Sequence, residues 1–236
     1  ETVEKYAHPL NRDFHQGTVV LSADGKEVFY TQCGSNSTAP VDYCQIVYQR
    51  KTGEQWSDPM PLKLGVDTLN YLHPVLSNNG KVLIFACNNP RGFGGYDLYY
   101  SIKMGAKEMA QWSEPLNMGS RINTAGNEVF PYLDKDSLYF SSDGHPGMGG
   151  LDIFKSIKKF KRWQAPQNLK APLNSGGDDF GLIIDRVNPI QDDFQSQGYF
   201  SSNREGGKGS DDIYQYMLQY PPPPDTTNTV DSPAIV

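Results

Sequence analysis

The sequence predicts an all-β protein, a β-propeller of four-stranded antiparallel blades with four repeats visible, and three recurring phrases predict it. The first is GGYDLYYS, Gly94 to Ser101, which returns as GGLDIFKS from Gly149, as GSDDIYQ around Asp212, and in worn form as DYCQIVY, with Gln45 in place of the acid. The second lies upstream of each: VVLSADGKEVFYT from Val19, PVLSNNGKVLIFA from Pro74, PYLDKDSLYFSS from Pro131, and the looser pair FGLIID and GYFSSN. The third lies downstream of the first three: QWSDPMPL, QWSEPLNM and RWQAPQNL, anchored by Trp56, Trp112 and Trp163. Three phrases in fixed order, with a period of roughly fifty residues, describe one supersecondary unit used repeatedly.

Within a unit the elements follow in order. A first apolar strand (VVLS, PVLS) runs into ADGK or NNGK, whose Asn/Asp-Gly chemistry tolerates the positive φ of a tight hairpin. The second strand (EVFYT, VLIFA, SLYFS) is rich in β-branched and aromatic residues. A glycine-rich loop of variable length then enters the third strand, QIVYQR, DLYYSI or DIFKSI. The Trp-x-x-Pro phrase supplies the fourth, on an outer edge, where proline's missing N–H costs no ladder bond. Helical periodicity is confined to AKEMAQW, from Ala106. The last unit lacks its own Trp-x-x-Pro phrase, and EKYAHPLN from Glu4 resembles that phrase, so it is expected to be a fourth strand ahead of the first complete unit.

Composition sets the outer limits. The 236 residues carry 37% hydrophobic side chains, enough for one sizeable core, and a formal charge of −6. An acidic balance without a dominant basic footprint argues against nucleic acid. No apolar run is long enough to span a bilayer. The chain opens at Glu1 without a signal-peptide stretch, as expected of a processed piece. Residues 1–220 are expected to form the propeller region and 221–236, beginning PPPPD, an extended linker or tail.

The order S-x-D-G-K-x-x-x-F, G-G-x-D-I/L-Y, W-S-x-P-x-N-L resembles the PD40, or WD40-like, β-propeller repeat of the TolB type, over about residues 14–220. The GG-x-D-I-Y loops and EPLNMGSRINTAGNE, Glu114 to Glu128, are further similar to the propeller of OmpA-family lipoproteins of Bacteroidetes, one subgroup of which belongs to the type IX secretion and gliding apparatus. The resemblance implies a periplasmic, outer-membrane-associated protein. It also implies envelope protein partners and peptidoglycan contact through a separate downstream domain. Propellers of this kind usually have six blades, which leaves open whether two more lie upstream or four close on themselves.

Chemistry-bearing motifs are absent: no G-x-S-x-G elbow, H-E-x-x-H, paired CxxC or phosphate loop occurs, and GGKGSDD from Gly206 feeds a strand rather than a helix. No enzyme activity, cofactor or metal is therefore expected. The repeated acids Asp97, Asp152 and Asp212 are expected to accept backbone N–H bonds from their glycine loops. Calcium held by Asp178 with Asp179, or Asp211 with Asp212, is the sharper alternative, although no EF-hand order of ligands is present. His73, beside Pro74, and His15 head inner strands near the expected central channel. The three tryptophans read as inter-blade packing rather than a sugar-stacking set. KSIKKFKRW, with Lys155, Lys158, Lys159, Lys161 and Arg162, reads as a solvated hairpin protecting an edge, or else as contact with an anionic glycan or acidic patch.

Cys33 ends a second strand and Cys44 begins a third, so a Cys33–Cys44 bridge and a free Cys87 are expected, placing the protein in an oxidising compartment. The functional expectation is a non-enzymatic interaction scaffold of the bacterial envelope in a secretion or motility assembly. The alternative is an accessory, gating propeller of a prolyl-oligopeptidase-like hydrolase. The expected contact set on the glycine-rich loops is Arg91, Phe93, His145, Met148, Arg204 and Lys208.

Overall fold

The structure, a computed structural model, describes residues 15–34, 43–105, 111–188, 190 and 194–219, and every regular element among them is a strand. The EKYAHPLN segment, most of AKEMAQW and the proline-rich tail lie outside the described residues. Four small antiparallel sheets form the blades of a β-propeller. Blade 1 comprises β1 (His15–Leu21), β2 (Glu27–Cys33) and β3 (Cys44–Thr52), with two short outer pieces, β4 (Gln55–Trp56) and β5 (Met60–Pro61). Blade 2 repeats this with β6 (Tyr71–Leu76), β7 (Val82–Cys87), β8 (Asp97–Met104), β9 (Gln111–Trp112) and β10 (Leu116–Asn117). Blade 3 has β11 (Glu128–Asp134), β12 (Ser137–Ser142), β13 (Asp152–Lys159), β14 (Arg162–Trp163) and β15 (Gln167–Asn168); blade 4 has, among the described residues, β16 (Asp179–Ile184), β17 (Phe194–Ser202) and β18 (Asp212–Gln219).

One expectation is corrected. The Trp-x-x-Pro phrase makes two two-residue strands, both paired to the third strand of the blade, rather than one continuous fourth strand. The break falls at the residue after the tryptophan. In blade 1 the hydroxyl of Ser57 accepts the Arg50 N–H at 3.1 Å, and in blade 2 that of Ser113 accepts the Ile102 N–H at 3.0 Å. A side chain thus takes the donor that a straight strand would have engaged. Trp56, Trp112 and Trp163 still stand at matching places, opposite Lys51, Lys103 and Lys158 of their third strands.

The hairpin turns follow from their sequences. In ADGK the Asp24 carboxylate accepts from Lys26 N at 3.1 Å while Gly25 takes φ 66°, and Asn79 with Gly80 (φ 67°) repeats the arrangement in blade 2. Each inner strand carries a bulge at the same position, with a left-handed residue: Thr18, His73, Phe130 and Gly181. Only one of the four is glycine. His73 and Phe130 keep side chains there because their rings stack at 3.8 Å, and Phe130 in turn meets Phe180 at 4.9 Å. Attractive ring packing offsets a backbone cost of about 1–2 kcal/mol at such a residue.

Three apolar interfaces join successive blades. Phe29 and Ile46 of blade 1 meet Leu83, Phe85, Tyr99 and Trp112 of blade 2; Ile84, Ala86 and Leu98 meet Leu138, Phe140 and Phe154 of blade 3; Ile153 meets Leu182, Phe200 and Tyr216 of blade 4. The residue following the repeated acid, or Gln45, is the shared element. Ile46, Leu98 and Ile153 are fully buried by the next blade, whereas their counterpart Ile213 in blade 4 is 78% exposed. Blades 1 and 2 are also pinned by Glu27, which accepts both from Lys103 Nζ, at 2.8 and 2.9 Å, and from the Tyr48 hydroxyl at 3.0 Å.

Candidate functional site

The glycine-rich loops between second and third strands emerge at one end of each blade, and the repeated acids organise them. Asp97 is buried at the start of β8; its carboxylate accepts the N–H groups of Phe93 at 2.6 Å and Gly94 at 3.2 Å, and the Asn117 amide at 2.8 Å. Asp152 does the same for Met148 and Gly149, and Asp212 for Lys208 at 2.6 Å and Gly209 at 3.0 Å. A carboxylate has acceptor positions for several such bonds, and burial strengthens them.

Phe93, Met148 and Lys208 are therefore equivalent. Each stands four residues before its acid, gives its N–H to that acid, and turns its side chain outward; Phe93 is 50% and Met148 51% exposed, and Lys208 is exposed. Three successive blades thus present an aromatic, a thioether and an ammonium on a common backbone frame. Arg91 stands beside Phe93, exposed, its N–H held by the Asn89 side chain at 3.0 Å.

His145 and Arg204 are placed differently. The His145 ring packs against Phe140 and Phe154 and hydrogen-bonds the Ile122 carbonyl at 2.8 Å. The Arg204 guanidinium lies over Phe200 and Tyr214 and donates to the carbonyls of Pro172 and Leu173, to the Ser202 hydroxyl and to Asp179 at 2.6 Å. Both side chains are turned into their own blades. The outward-facing members of the six are Arg91, Phe93, Met148 and Lys208.

Sequence reasoning missed the clasp that ties these loops together. Asn127, at the entry to blade 3, accepts the Tyr96 N–H of blade 2 at 3.0 Å, while its own N–H goes to Asp143 at 2.6 Å. Asp178 repeats this between Leu151 (2.8 Å) and Asn203 (2.6 Å), and Asn70 between Cys44 (2.8 Å) and Asn88 (2.8 Å). Backbone joins as well: Gly95 N donates to Gly126 O at 2.8 Å, and Gly150 N to Gly177 O at 3.0 Å. The approach is so close that a Cβ on Gly94 would lie 2.2 Å from Gly126 O, and one on Gly149 2.3 Å from Gly177 O. Glycine pairs in these loops thus serve contact between blades as well as turning. The signal in sequence was the Asn/Asp three residues before each left-handed bulge residue, in TLNY, AGNE and GGDD.

Asp178 and Asp179 are engaged in this scaffold. Asp179, fully buried, accepts from Ser175, Ser202 and Arg204, just as Glu128 accepts from Thr124 and Ser142. Among the described residues no three His, Cys, Asp or Glu side chains converge as a metal-binding group. Blade 1, which has Gln45 instead of the acid, uses covalent closure: Cys33 and Cys44, directly opposite across β2 and β3, form a disulfide. Cys87 is free and buried, and burial pushes its thiol up to about 12. His73 lies at the inner bulge rather than on the loop face. Burial drives its imidazole down to about 4, and its Nδ1 accepts the Phe130 N–H at 3.3 Å.

No family model matches the chain, and no curated protein matches it in sequence. Its fold is similar to part of a puromycin-hydrolyzing peptidase of Mycobacterium tuberculosis, with a TM-score of 0.51 and 19% identity, covering 87% of this chain and 31% of that one. It is similar to part of the tricorn protease, with a TM-score of 0.51 and 11% identity, covering 85% of this chain and 21% of that one. The chain spans less than a third of the length of either protein. At such identities the likeness is one of fold alone.

Proposed function

We propose that the protein is a non-enzymatic interaction scaffold of the bacterial cell envelope, a PD40-type propeller related to those of OmpA-family lipoproteins and working within a peptidoglycan-associated secretion or motility assembly. One observation carries this reading. Equivalent positions on three blades hold their backbone N–H on the repeated carboxylate, buried in Asp97 and Asp152 and half-buried in Asp212, and present chemically different side chains, Phe93, Met148 and Lys208, to solvent. A fixed frame with interchangeable side chains suits partner recognition, because the face can vary without disturbing the blades. The disulfide is consistent with an oxidising compartment such as the periplasm. The assignment to secretion or motility rests on the sequence resemblance.

The second reading is an accessory propeller beside a peptidase domain. The two similar structures favour it, both being peptidases in which a stretch of comparable fold occupies a minor part of the chain. Replacing the three glycine-rich loops of blades 2 to 4 by short Gly-Ser turns distinguishes them. Loss of envelope-protein co-purification with the fold intact supports the scaffold; unchanged recovery, or peptide hydrolysis that these loops gate, supports the second reading.

A further inference from the structure

The hairpin joining β13 to β14 departs from its counterpart in blade 1 in two ways at once. Lys159 pairs with Arg162, leaving Phe160 and Lys161 as a two-residue turn with φ of 48° and 65°. Both central residues are left-handed, the type I′ geometry that Asn-Gly or Asp-Gly satisfies without strain. The corresponding turn of blade 1 has one left-handed residue, Gly53 at φ 62°, where glycine carries no strain, and balances its charge through a Lys51–Glu54 ion pair. Blade 3 instead places a bulky aromatic at a strained position and leaves it 99% exposed, the barest large apolar side chain among the described residues. No fold contact compensates for that choice.

The surroundings are cationic. Lys158, Lys159, Lys161 and Arg162 flank the ring; Lys158 lies over Trp163 at 5.3 Å, and none of the four makes an ion pair among the described residues. The adjoining turn, whose Asp136 carbonyl accepts the Lys158 N–H, contributes Lys135 and Asp136, which cancel. The result is a projecting tip with one apolar ring at its apex and a collar of four positive charges, on a protein of net charge −6.

We propose that this hairpin docks on an anionic phospholipid surface, Phe160 entering the boundary between headgroups and acyl chains while Lys158, Lys159, Lys161 and Arg162 engage the phosphates. Apolar insertion together with a basic collar is the two-signal combination that peripheral membrane attachment requires. The lysine stems lie along apolar surface and keep their ammonium groups at the headgroups. A soluble polyanion or an acidic protein patch would use the charges, but offers the unpartnered ring no apolar phase. The proposal stands independently of the loop face.

Flotation of the full chain with vesicles tests it. Vesicles of phosphatidylcholine with about one-third phosphatidylglycerol should carry the protein and pure phosphatidylcholine should not, with binding lost in high salt. Phe160→Asn should weaken vesicle binding roughly tenfold, yet leave the thermal midpoint equal or higher, because Asn accepts the left-handed turn. Lys159→Glu with Lys161→Glu should abolish binding. Equal binding to both vesicle types, unchanged binding of Phe160→Asn, or retention on a heparin column without vesicle binding would each overturn the proposal. So would a lower thermal midpoint for Phe160→Asn, which would give the ring a structural role.

Discussion

His145 and Arg204 fill the same slot in successive blades. The imidazole of blade 3 packs on Phe140 and Phe154 and reaches the carbonyl of Ile122; the guanidinium of blade 4 lies over Phe200 and Tyr214 and reaches the carbonyl of Leu173. Two unlike side chains do one job, joining the end of the second strand to the loop that enters the blade. Arg204 does more, because it also neutralises the fully buried Asp179.

Arg204→Ala should therefore destabilise the fold by about 3 kcal/mol, since it strands a buried carboxylate. Arg204→Lys should recover only part of this, having neither the planar fork for two carbonyls nor the flat face for two rings. Urea denaturation of the variants measures both. A loss for Arg204→Ala below about 0.5 kcal/mol would show that Asp179 is satisfied without it.

Asp97→Ala should open its loop. Phe93 N, Gly94 N and the Asn117 amide lose a common acceptor, and water compensates in part, giving a destabilisation of about 2–3 kcal/mol. Asp97→Asn should cost less. Hydrogen exchange at the Phe93 amide should accelerate in Asp97→Ala, with amides of blade 4 unchanged.

The repeat, its strands and the Cys33–Cys44 juxtaposition were legible because each rests on local pattern: short runs of β-branched and aromatic residues, Asp-Gly turns, and two cysteines bounding one loop. The inter-blade clasp was harder to see because Asn70, Asn127 and Asp178 differ in type, and the segment leading to Asn70 is shorter than its equivalents. The equivalence of His145 and Arg204 had no signature in residue type at all. Both look like surface polar residues until the aromatic slot beneath them is built from two other strands. The split outer strand was hidden because a serine hydroxyl substitutes for a backbone partner, a choice that composition does not reveal.

Reduction should matter at blade 1. Cys33 and Cys44 are 11 residues apart, a loop for which chain entropy gives a contribution of about 2–3 kcal/mol. Cys33→Ser with Cys44→Ser should lower stability by that amount and abolish the response of the wild-type midpoint to reductant. Cys87, buried with its thiol raised to about 12, should resist alkylation in the native state and react on unfolding.

Acid should weaken the inner bulges through His73. The unfolded imidazole takes up its proton near 6.5 and the folded one only near 4, so between those values the unfolded chain holds more protons. Its contribution is fully present above pH 6.5 and is lost progressively as the pH falls toward 4. Protonation would also remove the Nδ1 acceptor that Phe130 N uses. His73→Gln should flatten that part of the stability profile; an unchanged slope would assign it to other groups.

The most direct measurement for the scaffold reading is photo-crosslinking from Met148, the middle position of the outward row. With p-benzoylphenylalanine at Met148, irradiation of the protein in envelope preparations should yield a discrete adduct with a partner protein. The adduct should disappear when Phe93→Ser and Lys208→Ser are added, while the same probe at exposed Val187, away from the loops, should yield none. Absence of an adduct at Met148, or identical adducts from Met148 and Val187, would contradict the account.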